Sequence, residues 1–298
     1  MVQSTNTLRN LSVSRAMRRQ IICLDHSKTI GHGINIIIKH KVNALLAVDS
    51  MQQPVGVVSK TDIMGAYYAG LPIDSPLEYI MASPPLFCKA GESLETALEQ
   101  MRTSKVYRLY VTDDESGELV GALAYPDIVG LLYHYCRQCE YSHLNRKKHP
   151  SETDAVHRFK VRELMATGVK SLPMHETLNT VMESLSAYRF GAMLITDGTG
   201  LPRGVISKTD LALAYKRGIS PAEIAEQVMC MPVHTCDLDS LLEEAVKKMI
   251  LTDIHRLFVH EGNADTIVGV LSLSDAARGR SGSCHGCVSS RIKVEDNE

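Results

Sequence analysis

Apolar and polar positions along this chain switch between two periods, and the switching recurs. In residues 93–103 the apolar side chains Leu94, Ala97, Leu98 and Met101 fall at i, i+3, i+4 and i+7, the spacing of one helix face. Short apolar runs at 44–48, 109–111, 192–195 and 257–259 read as buried strands. Asp, Gly or Asn then marks a turn, as in Asp113-Asp114-Glu115-Ser116-Gly117. Second strands are predicted at 55–58, 120–123, 205–206 and 268–271, and helices after them, for example at 63–68 and 128–135. The predicted order in each unit is strand, helix, strand, strand, helix, which makes the fold class α/β.

The second strands run into one recurring element. Gly56-Val57-Val58-Ser59-Lys60-Thr61-Asp62 matches Gly204-Val205-Ile206-Ser207-Lys208-Thr209-Asp210. Looser copies are Gly121-Ala122-Leu123-Ala124-Tyr125-Pro126-Asp127 and Gly269-Val270-Leu271-Ser272-Leu273-Ser274-Asp275. Asp62 and Asp127 are 65 residues apart, as are Asp210 and Asp275, and the larger step from Asp62 to Asp210 is 148. A fixed period of this kind is the mark of a repeat architecture. The repeats are placed at 13–70, 76–135, 160–217 and 220–279, with a linker at 136–159 and a C-terminal tail at 280–298.

This pattern resembles the CBS domain, whose pairs form the Bateman module. The likeness covers the chain from about Val13 to Arg278. Ile254-His255-Arg256-Leu257 with the Gly269–Asp275 copy, and Met174-His175-Glu176-Thr177-Leu178, are also similar to the nucleotide-sensing gamma subunits of AMP-activated protein kinase. The resemblance implies four CBS repeats paired by pseudo-twofold symmetry into two Bateman modules, with ligand clefts between paired units. It implies a regulatory protein without catalysis, binding AMP, ADP or ATP and signalling to an effector protein, and it makes a homodimer an expectation.

The residues offer chemistry for such a ligand. An Asp carboxylate can accept both ribose hydroxyls, and a Ser hydroxyl at a helix N-terminus can meet phosphate. Ser59 with Asp62, Ser207 with Asp210 and Ser272 with Asp275 have that spacing, and Thr61, Thr209 and Ser274 are further hydroxyls. The family carries the Asp to ribose and the Ser or Thr to phosphate. Repeat 2 departs, with Ala124 for the Ser, although Asp127 remains. The plainer alternative is that Ser and Asp cap the helix that follows. His255 and Arg256 match the gamma-subunit pair that reaches phosphate, and Arg108 holds the place of Arg256. Arg suits bidentate phosphate contacts, although both arginines are open to a surface salt-bridge role. Repeats 1 and 3 carry Ala44 and Ala192 there. Lys60 and Lys208, at helix starts, read as solvated. Cleft cations favour phosphates over the sulfonium of S-adenosylmethionine, the secondary ligand expectation.

Composition narrows the class. A formal charge of −2 gives no global pull toward nucleic acid or acidic lipid. No stretch approaches the roughly 18–20 apolar residues that span a bilayer, and the first residues lack the apolar middle of a signal peptide. A cytoplasmic protein is expected. No P-loop, H-E-x-x-H or nucleophile–base–orienter set argues for an enzyme. Eight cysteines include two C-x-x-C pairs, Cys136/Cys139 and Cys284/Cys287, separated by the same step of 148. Two such pairs suit a four-cysteine zinc site or an iron–sulfur cluster, or a redox dithiol, and they support the alternative of a metal- or redox-sensing protein on a Bateman scaffold. Duplication alone explains their equal placement. Cys23, Cys88 and Cys236 share another register and read as small buried residues of a first strand.

Overall fold

A computed structural model describes residues 11–138 and 159–278. After a short helix α1 (Val13–Ala16), repeat 1 comprises β1 (Cys23–Asp25), α2 (Ile30–Lys39), β2 (Ala44–Val48), β3 (Pro54–Ser59) and α3 (Lys60–Tyr68). Repeat 2 comprises β4 (Phe87–Lys89), α4 (Leu94–Thr103), β5 (Arg108–Thr112), β6 (Leu119–Ala124) and α5 (Tyr125–Gln138). Repeat 3 has a short β7 (Ala166–Thr167), then β8 (Ser171–Pro173), α6 (Leu178–Ala187), β9 (Ala192–Thr196), β10 (Pro202–Ser207) and α7 (Lys208–Lys216). Repeat 4 comprises β11 (Thr235–Asp237), α8 (Leu242–Leu251), β12 (Arg256–Glu261), β13 (Asn263–Ser272) and α9 (Leu273–Arg278). The α/β order expected from the periodicity is the order found. Among the described residues no helix is long and apolar enough to cross a membrane.

Each repeat has the same three-stranded arrangement, and β7 adds a fourth strand to the sheet of repeat 4. The first strand pairs parallel with the second, and the second antiparallel with the third. The middle strand is the most shielded: every residue of β2 is buried. The first helix of each repeat packs one apolar stripe against its sheet. In α2 that stripe is Ile30, Ile34 and Ile37, and in α4 it is Leu94, Ala97, Leu98 and Met101. Thr29, Ser93 and Thr177 cap α2, α4 and α6 by accepting a backbone N–H from the residue three ahead. The first strand is the sheet edge, which corrects one expectation. Cys88 is buried and Cys236 half-buried, but Cys23 is exposed.

The chain forms two compact units that do not follow its halves. One unit takes residues 21–85 and 169–233, so it holds the bodies of repeats 1 and 3. Its core joins Ile34, Leu45 and Ile63 to Val181, Ile195 and Leu211. The other unit takes the described parts of 1–20, 86–168 and 234–298, with the bodies of repeats 2 and 4. Its core joins Leu98, Leu109 and Ile128 to Met249, Leu257 and Leu271.

The segment leading into each repeat packs on its sister rather than on its own repeat. Val13 lies in the core with repeat 2, and Arg18 bridges to Ala122. Leu77 lies in the core with repeat 1, and Ala82 bridges to Val57. Val161 packs with repeat 4, where Ala166 on β7 pairs with Val270. Ala225 packs with repeat 3, and Cys230 bridges to Val205. In every case a methionine precedes the bridging residue: Met17, Met81, Met165 and Met229. Each lies over the glycine that opens the recurring element. A Cβ on Gly56, Gly121, Gly204 or Gly269 would come within 2.5–2.8 Å of that methionine's sulfur. The glycine is therefore needed for close approach of the lead segment.

Candidate functional site

Three of the four helix starts are closed by the same cap. At α3 the Ser59 hydroxyl and backbone N–H both donate to Oδ2 of Asp62, each at 2.7 Å. The Ser59 oxygen in turn accepts from the N–H groups of Thr61 and Asp62. At α7, Ser207 N and Oγ donate to Asp210 Oδ2 at 2.7 and 2.6 Å, and Ser207 Oγ accepts from the N–H groups of Thr209 and Asp210. At α9, Ser272 N and Oγ donate to Asp275 Oδ2 at 2.9 and 2.5 Å. At α5 only the backbone remains: Ala124 N donates to Asp127 Oδ2 at 2.9 Å. The capping alternative thus describes the Ser and one carboxylate oxygen of those three elements, and one carboxylate oxygen at α5. It also points the serine hydroxyl hydrogen at the Asp carboxylate, not toward solvent.

The other carboxylate oxygen, Oδ1, has a different fate in each repeat. Among the described residues no hydrogen bond reaches Oδ1 of Asp62 or of Asp275. Oδ1 of Asp210 accepts from the Cys230 thiol at 3.1 Å. Oδ1 of Asp127 is held in an ion pair by Nε of Arg18. Burial pushes the Asp62 carboxyl above its ordinary pKa, against the opposing pull of the Ser59 hydrogen bonds and Lys208. Burial also pushes Asp127 up, and Arg18 and Arg108 oppose it.

The expected cations lie beside these groups. In the unit of repeats 1 and 3, Lys208 Nζ donates to Thr61 Oγ1 at 2.8 Å, and Lys60 Nζ to Asn43 Oδ1 at 3.2 Å. The two lysines are therefore engaged at the helix starts, which corrects the solvated reading. The Lys208–Thr61 bond joins the start of α7 to the start of α3. In the unit of repeats 2 and 4, strand register sets Arg108 opposite Ala124 and Arg256 opposite Ser272. The corresponding partners of Ser59 and Ser207 are Ala44 and Ala192. Each arginine thus faces the start of its own repeat's last helix. Burial pulls the Arg256 guanidinium below its ordinary pKa, opposed by Tyr107 and Asp275. His255 is exposed, and its carbonyl accepts from Leu273 N at the start of α9. Ser274 shares a hydroxyl contact of 2.7 Å with Ser272.

Two residues at these carboxylates, Arg18 and Cys230, carry no signal in the recurring element. They come from the lead segments, and only the shared methionine before each marks them in sequence. Among the described residues no cluster of three or more His, Cys, Asp or Glu is arranged to hold a metal ion. Cys139, Cys284 and Cys287 lie outside the described residues, and Cys136 falls on α5 where only the backbone is described.

Comparison with known proteins identifies the repeat. Residues 13–69, 77–134, 161–217 and 225–282 each match the CBS domain. An uncharacterized protein of Methanopyrus kandleri, MK0525, is 29% identical over 102 residues, which are 34% of this chain and 52% of that protein. The chain therefore spans about half the length of that curated relative. The crystal structure of MJ1225 from Methanocaldococcus jannaschii, proposed as an archaeal homolog of the AMPK gamma subunit, superposes with a TM-score of 0.72 at 17% identity. The alignment covers 90% of this chain and 99% of that one. A CBS domain protein of Pyrobaculum aerophilum, PAE2072, was solved in complex with AMP. It is 28% identical and covers 40% of this chain and 90% of its own, with a TM-score of 0.37. The mixed α/β architecture with four repeats matches paired CBS structures, and the chain belongs to the CBS domain family.

Proposed function

We propose that this chain is a non-catalytic regulatory sensor that binds an adenosine nucleotide through the aspartates at its helix starts. The observation that carries the reading is the half-used carboxylate. Oδ2 of Asp62 and Asp275 is fixed by the serine cap, while Oδ1 accepts no hydrogen bond among the described residues. A carboxylate oriented by its neighbours and open on one oxygen is a preorganised acceptor for ribose hydroxyls. CBS-pair proteins are generally regulatory and non-catalytic, which agrees with the reading.

Phosphate is assigned to other groups than the capping serines, whose protons are committed to Asp. Thr61 accepts from Lys208 and keeps its own hydroxyl proton to donate. With Lys60, Lys208 and the first turn of α3 it forms an anion-attracting corner. Arg108 and Arg256 are the corresponding cations of the other unit, and the His255 ring is a further polar group beside Arg256. This surplus of donors favours AMP, ADP or ATP over S-adenosylmethionine.

Binding would act by favouring one arrangement of the repeats over another, read by an effector protein or a second copy of the chain. Calorimetric titration with AMP, ADP, ATP and S-adenosylmethionine tests the reading. One phosphate-bearing ligand is expected to bind and to lose affinity when Asp62 or Asp275 is replaced by Ala.

A further inference from the structure

The four lead segments offer an internal comparison. Each carries a methionine packed on the repeat glycine and then a residue bridged to the strand that runs into the helix start. The backbone placement recurs while the bridging side chain changes. It is Ala82 at Asp62, Arg18 at Asp127, Cys230 at Asp210 and Ala166 at Asp275. The state of Oδ1 follows that side chain. The two alanines have no polar atom to offer and leave it open. Cys230 covers it with a thiol donor, and Arg18 holds it in an ion pair.

We propose that this one lead-segment position decides which carboxylates take a ligand's ribose: Arg18 closes repeat 2, Cys230 guards repeat 3, and repeats 1 and 4 stand open. The inference rests on the nucleotide reading above. It changes the account of repeat 2, whose departure was Ala124 in place of Ser. The capping serines spend their proton on Asp in the other three repeats, so a missing hydroxyl there removes no donor to the ligand. What sets repeat 2 apart is that its carboxylate already has a cation. The Asp127 side chain is only 6% exposed, whereas that of Arg18 is 58% exposed. The guanidinium is paired to Oδ1, the oxygen a ribose would need, on a carboxylate with little exposure. At repeat 3 the ligand must displace an S–H donor, a weaker partner than a guanidinium.

The test uses the full chain with two readouts. The first needs no nucleotide: carboxyl labelling by carbodiimide and glycine ethyl ester, followed by peptide mass spectrometry. Asp127 is expected to resist labelling in the wild type and in Arg18→Lys, and to label several-fold faster in Arg18→Ala. Circular dichroism checks that the variants are folded. The second readout is AMP titration. Arg18→Ala is expected to raise the stoichiometry by one, and Cys230→Ala to tighten one class of site by about three- to tenfold, the worth of one hydrogen bond. Labelling of wild-type Asp127 as fast as Asp275 overturns the proposal. So does unchanged AMP stoichiometry in an Arg18→Ala protein whose Asp127 has become reactive and whose other sites fill. Absence of AMP binding by the wild type contradicts the nucleotide reading itself, and the labelling then still decides whether Arg18 closes Asp127.

Discussion

Tyr67 on α3 and Tyr215 on α7 stack with ring centroids 5.0 Å apart and planes 18° from parallel. Each hydroxyl reaches past the other's helix: Tyr67 donates to the Ile219 carbonyl at 2.7 Å and Tyr215 to the Leu71 carbonyl at 2.5 Å. The pair ties the last helices of repeats 1 and 3 into one core, and burial pushes the Tyr67 hydroxyl up to about 12. Tyr67→Phe and Tyr215→Phe keep the rings and remove one hydrogen bond each. Each is expected to lower stability by about 1 kcal/mol, read as a urea midpoint. Tyr67→Ala also opens a cavity and is expected to cost about 3–5 kcal/mol.

The repeat glycines give a prediction with an internal control. A Cβ at Gly121 would lie 2.8 Å from the Arg18 carbonyl, a backbone atom that cannot swing away, and 2.8 Å from the Met17 sulfur. Gly65, inside α3, has nothing within 4 Å. Gly121→Ala is expected to destabilise by about 1–3 kcal/mol through overpacking. Gly65→Ala is expected to be neutral or to stabilise by up to about 1 kcal/mol from helix propensity. Thermal unfolding of the two variants beside the wild type checks the contrast.

The Cys230 thiol carries a pH signature. Burial, and then the hydrogen bond and charge of Asp210, push it up to about 11. The folded thiol therefore holds its proton more tightly than the unfolded one, whose value is about 8.5. Its contribution to stability is complete below the unfolded value and is lost as pH rises toward the folded one. At about pH 8 the thiolate is scarce, so iodoacetamide is expected to label Cys230 more slowly than a free cysteine. Asp210→Asn removes the negative charge and should speed that labelling. Peptide mapping resolves Cys230 from the other cysteines.

Much of this fold is legible in the sequence because its signals are local. The helix stripe at Leu94, Ala97, Leu98 and Met101 is buried in α4 as its spacing requires. The Ser59–Asp62 and Ser207–Asp210 spacings announce capping boxes, and the boxes are there. Arg108 and Arg256 fall at one ladder position because the repeats keep register. The exchange of lead segments is not legible in the same way. It depends on contacts such as Arg18 with Asp127, 109 residues apart, that no periodicity encodes. Cys230 escapes a search by cysteine register, since its counterparts are Ala82, Arg18 and Ala166 rather than cysteines. The recurring methionine before each of these residues was the available clue, and its meaning appears only once the glycine beneath it is located.

The central claim is that half-used carboxylates at the helix starts hold a nucleotide's ribose. The most direct measurement is calorimetric titration of AMP into ligand-free wild type, Asp62→Ala, Asp275→Ala and the double variant, each shown to be folded. The account predicts saturable binding by the wild type, a loss of at least about tenfold in affinity or of one site in each single variant, consistent with loss of a charged hydrogen-bond acceptor, and a larger loss in the double variant. Wild-type affinity and stoichiometry retained in the double variant would contradict it, and would leave Asp62 and Asp275 as helix caps alone.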